Sequence, residues 1–141
     1  MAKILVPVDG SETALRAVDR AIGQARAYGA AVELHVMNVQ PPLPQMAAHH
    51  VSQDNLTRHH QEEGMAALKT ALQKLDAAGV KYTHHIVVGD PADTICRFAG
   101  DQGIDEIVIG TRGHGAAARM LLGSVATKVA QCAEAPVTLV K

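Results

Sequence analysis

Aromatic side chains are almost missing from this 141-residue chain: Tyr28, Tyr82 and Phe98 are the whole set, and tryptophan is absent. The core must then be built from Val, Ile, Leu, Met and Ala, and a planar ligand would have to lie between aliphatic side chains. The same scarcity disfavours a stacking platform for single-stranded nucleic acid. Charge of one sign is also lacking, with 13 basic residues against 14 acidic ones. No basic face is present to attract nucleic acid or an anionic membrane, so neither is expected as a partner. Long apolar runs are missing as well. Ile4-Leu5-Val6 is too short for a signal sequence, and no later run approaches the ~20 residues of a membrane span, which predicts a cytoplasmic protein. Cysteine occurs twice, at Cys96 and Cys132, far apart and without CxxC spacing. Both fall in helix-like apolar patterns and read as buried, reduced thiols, which fits a reducing compartment. The length predicts one domain, 1–141, able to bury a core of its own.

Strand-like and helix-like periods alternate along the chain. Residues 3–8 form a short apolar run ended by Asp9-Gly10-Ser11, after which Leu15, Val18, Ile22 and Ala25 repeat at helical spacing. Ser11 is a cap candidate and Gly29 a terminator, predicting a helix over 12–28. Residues 32–39 alternate as a strand, with Val32, Leu34 and Val36 on one face and Glu33, His35 and Met37 on the other, one of the two faces being expected to be only partly covered. Residues 40–53, with Pro41, Pro42, Pro44 and His49-His50, read as a long surface loop. A helix follows that carries Met65, Leu68, Leu72 and Leu75 at 3, 4, 3 spacing and stops at Gly79, with Gly64 a weak point. Residues 81–88 suit an edge strand. Asp90 and Pro91 start a third helix running to about Gln102, 105–109 is a fourth strand, Val125, Val129 and Cys132 mark a fourth helix, and 137–140 is a last strand.

Five strands and four helices in alternation predict parallel pairing through right-handed crossovers, in a doubly wound α/β sandwich with helices on both faces. Ligands of such sheets lie outside the carboxyl ends of the strands, where strand order reverses. Asp9 and Gly110 both end strands and would face one crevice if the first and fourth strands are neighbours.

The segment 110–124 carries the chemistry. Gly110-Thr111-Arg112-Gly113, nine residues, then Gly123-Ser124 joins a strand end to a helix start, where unpaired amides and the helix dipole favour an anion. It contains Arg112, His114 and Arg119 and no carboxylate, and Ser124 offers a hydroxyl cap. Neither GxxxxGK[ST] nor a complete dinucleotide fingerprint is present. Asp9 has two readings: a cap for the turn into the first helix, or a carboxylate for ribose hydroxyls or a phosphate-bound metal. No base or water-positioning acid accompanies the glycines, so no catalytic residue is assigned.

These residues resemble the universal stress protein family in its ATP-binding branch. Gly110-x-x-Gly113, nine residues, Gly123-Ser124 is similar to that branch's signature, and Ile4 through Ser11, Val87 through Pro91, and Ala135 through Val140 resemble its first strand, third strand and closing strand. The resemblance implies strand order 3-2-1-4-5 and ATP, with Mg²⁺ or Mn²⁺, as the ligand. By position Asp9 would meet the ribose, Val39 adenine through its backbone, and Gly110, Gly113, Gly123, Ser124 and Val125 the phosphates. Arg112 and His114 stand at variable motif positions, and their charge and reach suggest the γ-phosphate. The implied function is a nucleotide-responsive stress regulator with slow or no hydrolysis. Two other readings stay open, an enzyme that uses adenine nucleotide to activate a small substrate, and a structural stress protein with an empty crevice.

The pairs His49-His50, His59-His60 and His84-His85 point apart on any regular backbone, so they read as solvated histidines with no metal assigned. The last strand, Val137 to Val140, is apolar and can only lie at or near an edge. Bare edges pair with other chains, which predicts a homodimer through it, as the resemblance also implies. The regulatory partner is unknown.

Overall fold

The computed structural model describes residues 2–112 and 122–141. Five strands form one parallel sheet: β1 (Ala2–Pro7), β2 (Val32–Gln40), β3 (Thr83–Val88), β4 (Glu106–Gly110) and β5 (Val137–Val140), in the order β3-β2-β1-β4-β5. The helices are α1 (Glu12–Tyr28), α2 (Gln45–Ala48), α3 (Gln53–Ala77), α4 (Pro91–Asp101) and α5 (Ser124–Cys132). This is the doubly wound α/β fold with the expected strand order.

The sheet sorts its side chains by the period of two. Ile4, Val6, Leu34, Val36 and Val108 face one way, against Ala14, Ala17, Val18 and Ala21 of α1 and Leu68, Ala71 and Leu75 of α3. Leu5, Met37, Ile107 and Ile109 face the other way, against Ala92, Ile95 and Ala99 of α4 and Val129 of α5. Each such burial of a Val, Leu or Ile is worth about 1.5–3 kcal/mol. One face of β2 was expected to be partly bare, but both are covered: Leu34 and Val36 are buried on one side, His35 and Met37 on the other. α4 reaches over that second side because its inward residues are small at Ala92 and Ala99, allowing close approach.

Capping chemistry sets the helix starts. Ser11 Oγ accepts from Ala14 N at 3.3 Å, and Asp90 Oδ2 from Asp93 N at 3.2 Å with Pro91 in the first turn. Ser52 Oγ likewise accepts from Asn55 N at 3.2 Å, so α3 begins well before its apolar stripe. The supposed loop 40–53 therefore holds the short α2 and the start of α3. Gly64, read as a weak point, is a contact point: a Cβ there would lie 2.6 Å from Ile86 Cγ2. Its absence lets α3 lie against β3.

Cys96 and Cys132 correct the sequence reading. They form a disulfide, with Cα atoms 6.2 Å apart, because α4 and α5 run side by side on the same face of the sheet. Periodicity gave each cysteine a helix but not the contact between the helices. Cys132 is exposed and Cys96 half-buried, so the pair lends no support to a reducing compartment. Among the described residues no helix is long and apolar enough to cross a membrane.

Candidate functional site

β2 leads from β1 to one edge of the sheet and β4 to the other, so the reversal of strand order falls between β1 and β4. A cavity of about 870 Å³ opens there, at the carboxyl ends of β1, β2 and β4. Its apolar wall comes from Val8, Met37, Val39, Ile95 and Ile109, and its polar wall from Asp9, Ser11, Arg112 and Ser124. The volume lies in the range usual for ligand clefts, about 300–1,000 Å³.

Seven of the nine expected site residues line this cavity: Asp9, Val39, Gly110, Arg112, Gly123, Ser124 and Val125. The other two, Gly113 and His114, lie outside the described residues, as does Arg119. Asp9 leaves β1 into the turn before α1, and its Oδ1 accepts from Ser11 N at 2.9 Å. The capping role considered for Asp9 is thus real, in an exposed residue at the mouth of the cavity.

Gly110 is needed for packing. A Cβ there would lie 2.5 Å from Thr13 Oγ1, 2.7 Å from Thr13 C and 2.8 Å from Ala14 N, so only glycine lets the first turn of α1 rest on the end of β4. That contact fixes the next residues. Thr13 Oγ1 donates to the Arg112 carbonyl, Ser11 Oγ donates to the same oxygen at 3.3 Å, and Thr111 N donates to Val140 O at 2.8 Å. The start of the 110–124 segment is therefore tied to α1 on one side and β5 on the other.

At the far end of that segment, Gly123 N donates to Thr111 O at 2.5 Å, closing its two ends on each other. The cap of α5 is Gly123, not the Ser124 hydroxyl that the sequence suggested. The first intrahelical amide is Thr127 N, bonded to Gly123 O at 3.0 Å. The amides of Ser124, Val125 and Ala126 thus begin the helix without an intrahelical acceptor, at the positive end of its dipole, on residues that line the cavity. Glycine at the cap leaves the approach to those amides clear of a side chain.

Two contributors escaped the sequence reading. Asn38 is buried at the end of β2, donating through Nδ2 to Val8 O at 2.8 Å and accepting from Gln40 Nε2 at 2.7 Å. It knits β1 to β2 at the cavity rim, and its signal was a lone amide in the apolar run Val36 to Val39. Glu63 of α3 lines the cavity too, from a helix whose sequence signal was only its inward stripe.

The histidines are more structured than expected. His49, His50, His59 and His84 are exposed, but His60 is buried, and His85 Nε2 lies 2.9 Å from Nδ1 of buried His35. His35 Nε2 in turn meets Glu33 Oε1 at 2.7 Å, and Phe98 packs 4.7 Å from the His85 ring. Burial, then the neighbouring His35 and His84, hold His85 below the usual histidine value. This chain lies on the α4 side of the sheet and lines no part of the cavity. No group of three or more metal-ligating side chains occurs among the described residues.

The universal stress protein family model matches residues 1–141. The universal stress protein MJ0531 of Methanocaldococcus jannaschii is 37% identical over 99% of this chain and 81% of its own. The solved structure of MJ0577, from the same organism, superposes with a TM-score of 0.83 at 31% identity, covering 99% of this chain and 95% of that one. A universal stress protein from Archaeoglobus fulgidus, solved in complex with dAMP, superposes with a TM-score of 0.72 at 27% identity, covering 100% and 98%. The chain described here belongs to the universal stress protein family.

Proposed function

We propose that this chain is a single nucleotide-responsive module, 1–141, that binds ATP in the cavity between β1 and β4 and hydrolyses it slowly or not at all. The observation that carries the reading is the pairing of the α5 amides with Asp9 across one cleft whose remaining wall is aliphatic. Ser124, Val125 and Ala126 supply donors for phosphate oxygens, Asp9 a carboxylate for ribose hydroxyls, and Val39 with Met37 and Ile95 an apolar slot for adenine. The dAMP bound by the Archaeoglobus fulgidus relative supports the adenine nucleotide as the class. Gly110, through its packing, and Gly113 and Gly123, through the 110–124 segment, belong to the phosphate side of the site.

Arg112 and His114 are assigned to the γ-phosphate. Replacing Arg112 with Ala should weaken ATP more than AMP in calorimetric titrations, and equal losses for both would sink that assignment. A divalent ion suits this donor set only as a passenger on the phosphates: Asp9 and Glu63 are the carboxylates on the cavity wall, and Mg²⁺ commonly keeps several waters with one or two carboxylates. Such an ion would neutralise phosphate charge.

Among the described residues the cleft carries no histidine, lysine or cysteine, and of its two carboxylates Asp9 already accepts from Ser11 N at 2.9 Å, so no base for an attacking water is assigned. Holding the nucleotide is then the chemistry available, and the 110–124 segment is the surface that a regulatory partner would read. The same reading places the protein in the cytoplasm, as a homodimer through the exposed edge of β5. The small molecule released on denaturing purified protein tests the whole: ATP supports the module, an acyl or aminoacyl adenylate would favour a substrate-activating enzyme, and no nucleotide would favour a structural role.

A further inference from the structure

We propose that the Cys96–Cys132 disulfide is an exchange site for a dithiol reductant, and that its oxidation state sets how firmly α5 presents its first amides to the cleft between β1 and β4. The bond joins two helices that both wall that cleft. Pro91 and Ile95 of α4 line it, with Cys96 next in sequence to Ile95, and Ser124, Val125 and Ala126 of α5 line it as well.

The two helices are held very differently. α4 buries Ala92, Thr94, Ile95 and Ala99, which seat it on the sheet. α5 buries only Ala126 and Val129 among its nine residues. From Ala130 through Pro136 no residue is buried, so the covalent bond at Cys132 is the main tie of that end of the helix. The opposite end is tied by Gly123 N, which donates to Thr111 O at 2.5 Å. A helix this short is a stiff rod of about 13 Å. Freeing its carboxyl end therefore lets the whole rod tilt, and the amides at its amino end lose their fixed aim.

The chemistry is two successive exchanges. Cys132 is exposed and Cys96 half-buried, so a thiolate of the dithiol attacks Cys132 Sγ. The Cys96–Cys132 bond breaks, a mixed disulfide forms, and Cys96 leaves as a thiolate that takes up a proton. The second thiol of the reductant then attacks its own sulfur in the mixed disulfide and releases Cys132 as a thiol. Two electrons and two protons pass from the dithiol, which ends as a disulfide, to the cysteine pair, which ends as two thiols.

The consequence for ligand rests on the reading of the cleft as an ATP site, since the α5 amides are its phosphate donors. Donors fixed before the ligand arrives cost less to order on binding. Reduction should thus weaken ATP about fivefold, the low end of couplings between sites, while adenosine, which has no phosphate, binds both states alike. Linkage requires the reverse as well: saturating ATP should make the disulfide about fivefold harder to reduce in a dithiothreitol redox buffer.

Calorimetric titration of ATP and of adenosine into the oxidised protein, and into protein reduced with dithiothreitol, tests this. The Cys96→Ser, Cys132→Ser double variant should bind ATP as the reduced protein does and ignore the reductant. Equal ATP affinity in the two redox states would overturn the proposal. Equal losses for ATP and adenosine would overturn it too, because the bond would then support the whole fold and not the aim of α5. NMR without nucleotide separates this proposal from the ATP reading. Reduction should shift the amide resonances of Ser124, Val125 and Ala126 and leave those of β1 in place, and unmoved α5 amides would refute the exchange site's role. Shifted amides in a protein that binds ATP in neither state would support that role and overturn the ATP reading instead.

Discussion

Replacing Gly110 with Ala separates packing from ligand contact at the start of the glycine segment. The new Cβ would meet Thr13 C at 2.7 Å and Ala14 N at 2.8 Å, both backbone atoms that cannot rotate away. The first turn of α1 would have to retreat by roughly 0.6 Å or more to restore ordinary contact, and overpacking of this kind costs about 1–3 kcal/mol. That turn also holds the Arg112 carbonyl through Thr13 and Ser11, and weakening these bonds adds about 1 kcal/mol. A total of about 2–4 kcal/mol should lower Tm by roughly 6–12 °C for a chain of this length. Gly23→Ala is the control. It lies inside α1 with nothing within 4 Å of its would-be Cβ, and there Ala should stabilise by about 0.5–1 kcal/mol. Urea unfolding of the two variants beside the parent protein decides. A Gly110→Ala protein that unfolds at the parent's midpoint would refute the packing account. If it also lost nucleotide affinity, the glycine would be needed for the ligand and not for the helix.

The other predictions concern different parts of the molecule. Reducing the Cys96–Cys132 disulfide, or replacing both cysteines with Ala, opens a loop of sequence separation 36 and should cost about 2–4 kcal/mol in urea titrations; unchanged stability would mean that the packing of α4 on α5 suffices without it. Because His85 is held below its ordinary value, the unfolded chain takes up a proton first as pH falls, so stability is full above about 6.5 and declines below it. His85→Gln should flatten that decline, and a parent profile level from pH 7.5 to 5.5 would contradict the assignment. Leu139 is 38% exposed on the edge strand, so Leu139→Lys should convert a dimer to monomer in light scattering; a monomeric parent at micromolar concentration would remove the dimer from the proposal.

Much of the architecture was legible because one physical signal dominated each element. α1 begins after Ser11 and ends at Tyr28 as its cap and terminator dictate, and the apolar runs of β1 and β4 are what strands covered on both faces require. Contacts distant in sequence were not legible. Nothing local to Cys96 reveals Cys132 across two helices, and the alternation of β2 could not tell that α4 would cover His35 and let it reach His85. The candidate site fell between these cases. Seven residues named from spacing and resemblance line one cavity, but the cap of α5 was misread, since it is Gly123 and not Ser124, and the seat that Gly110 provides for α1 went unread. Both have one cause. A glycine in sequence announces that a Cβ cannot be tolerated, and only the fold says whether protein or ligand would have met it. At Gly110 it is protein, and because the helix seated there also grips Arg112, the packing glycine still governs where the segment enters the cleft.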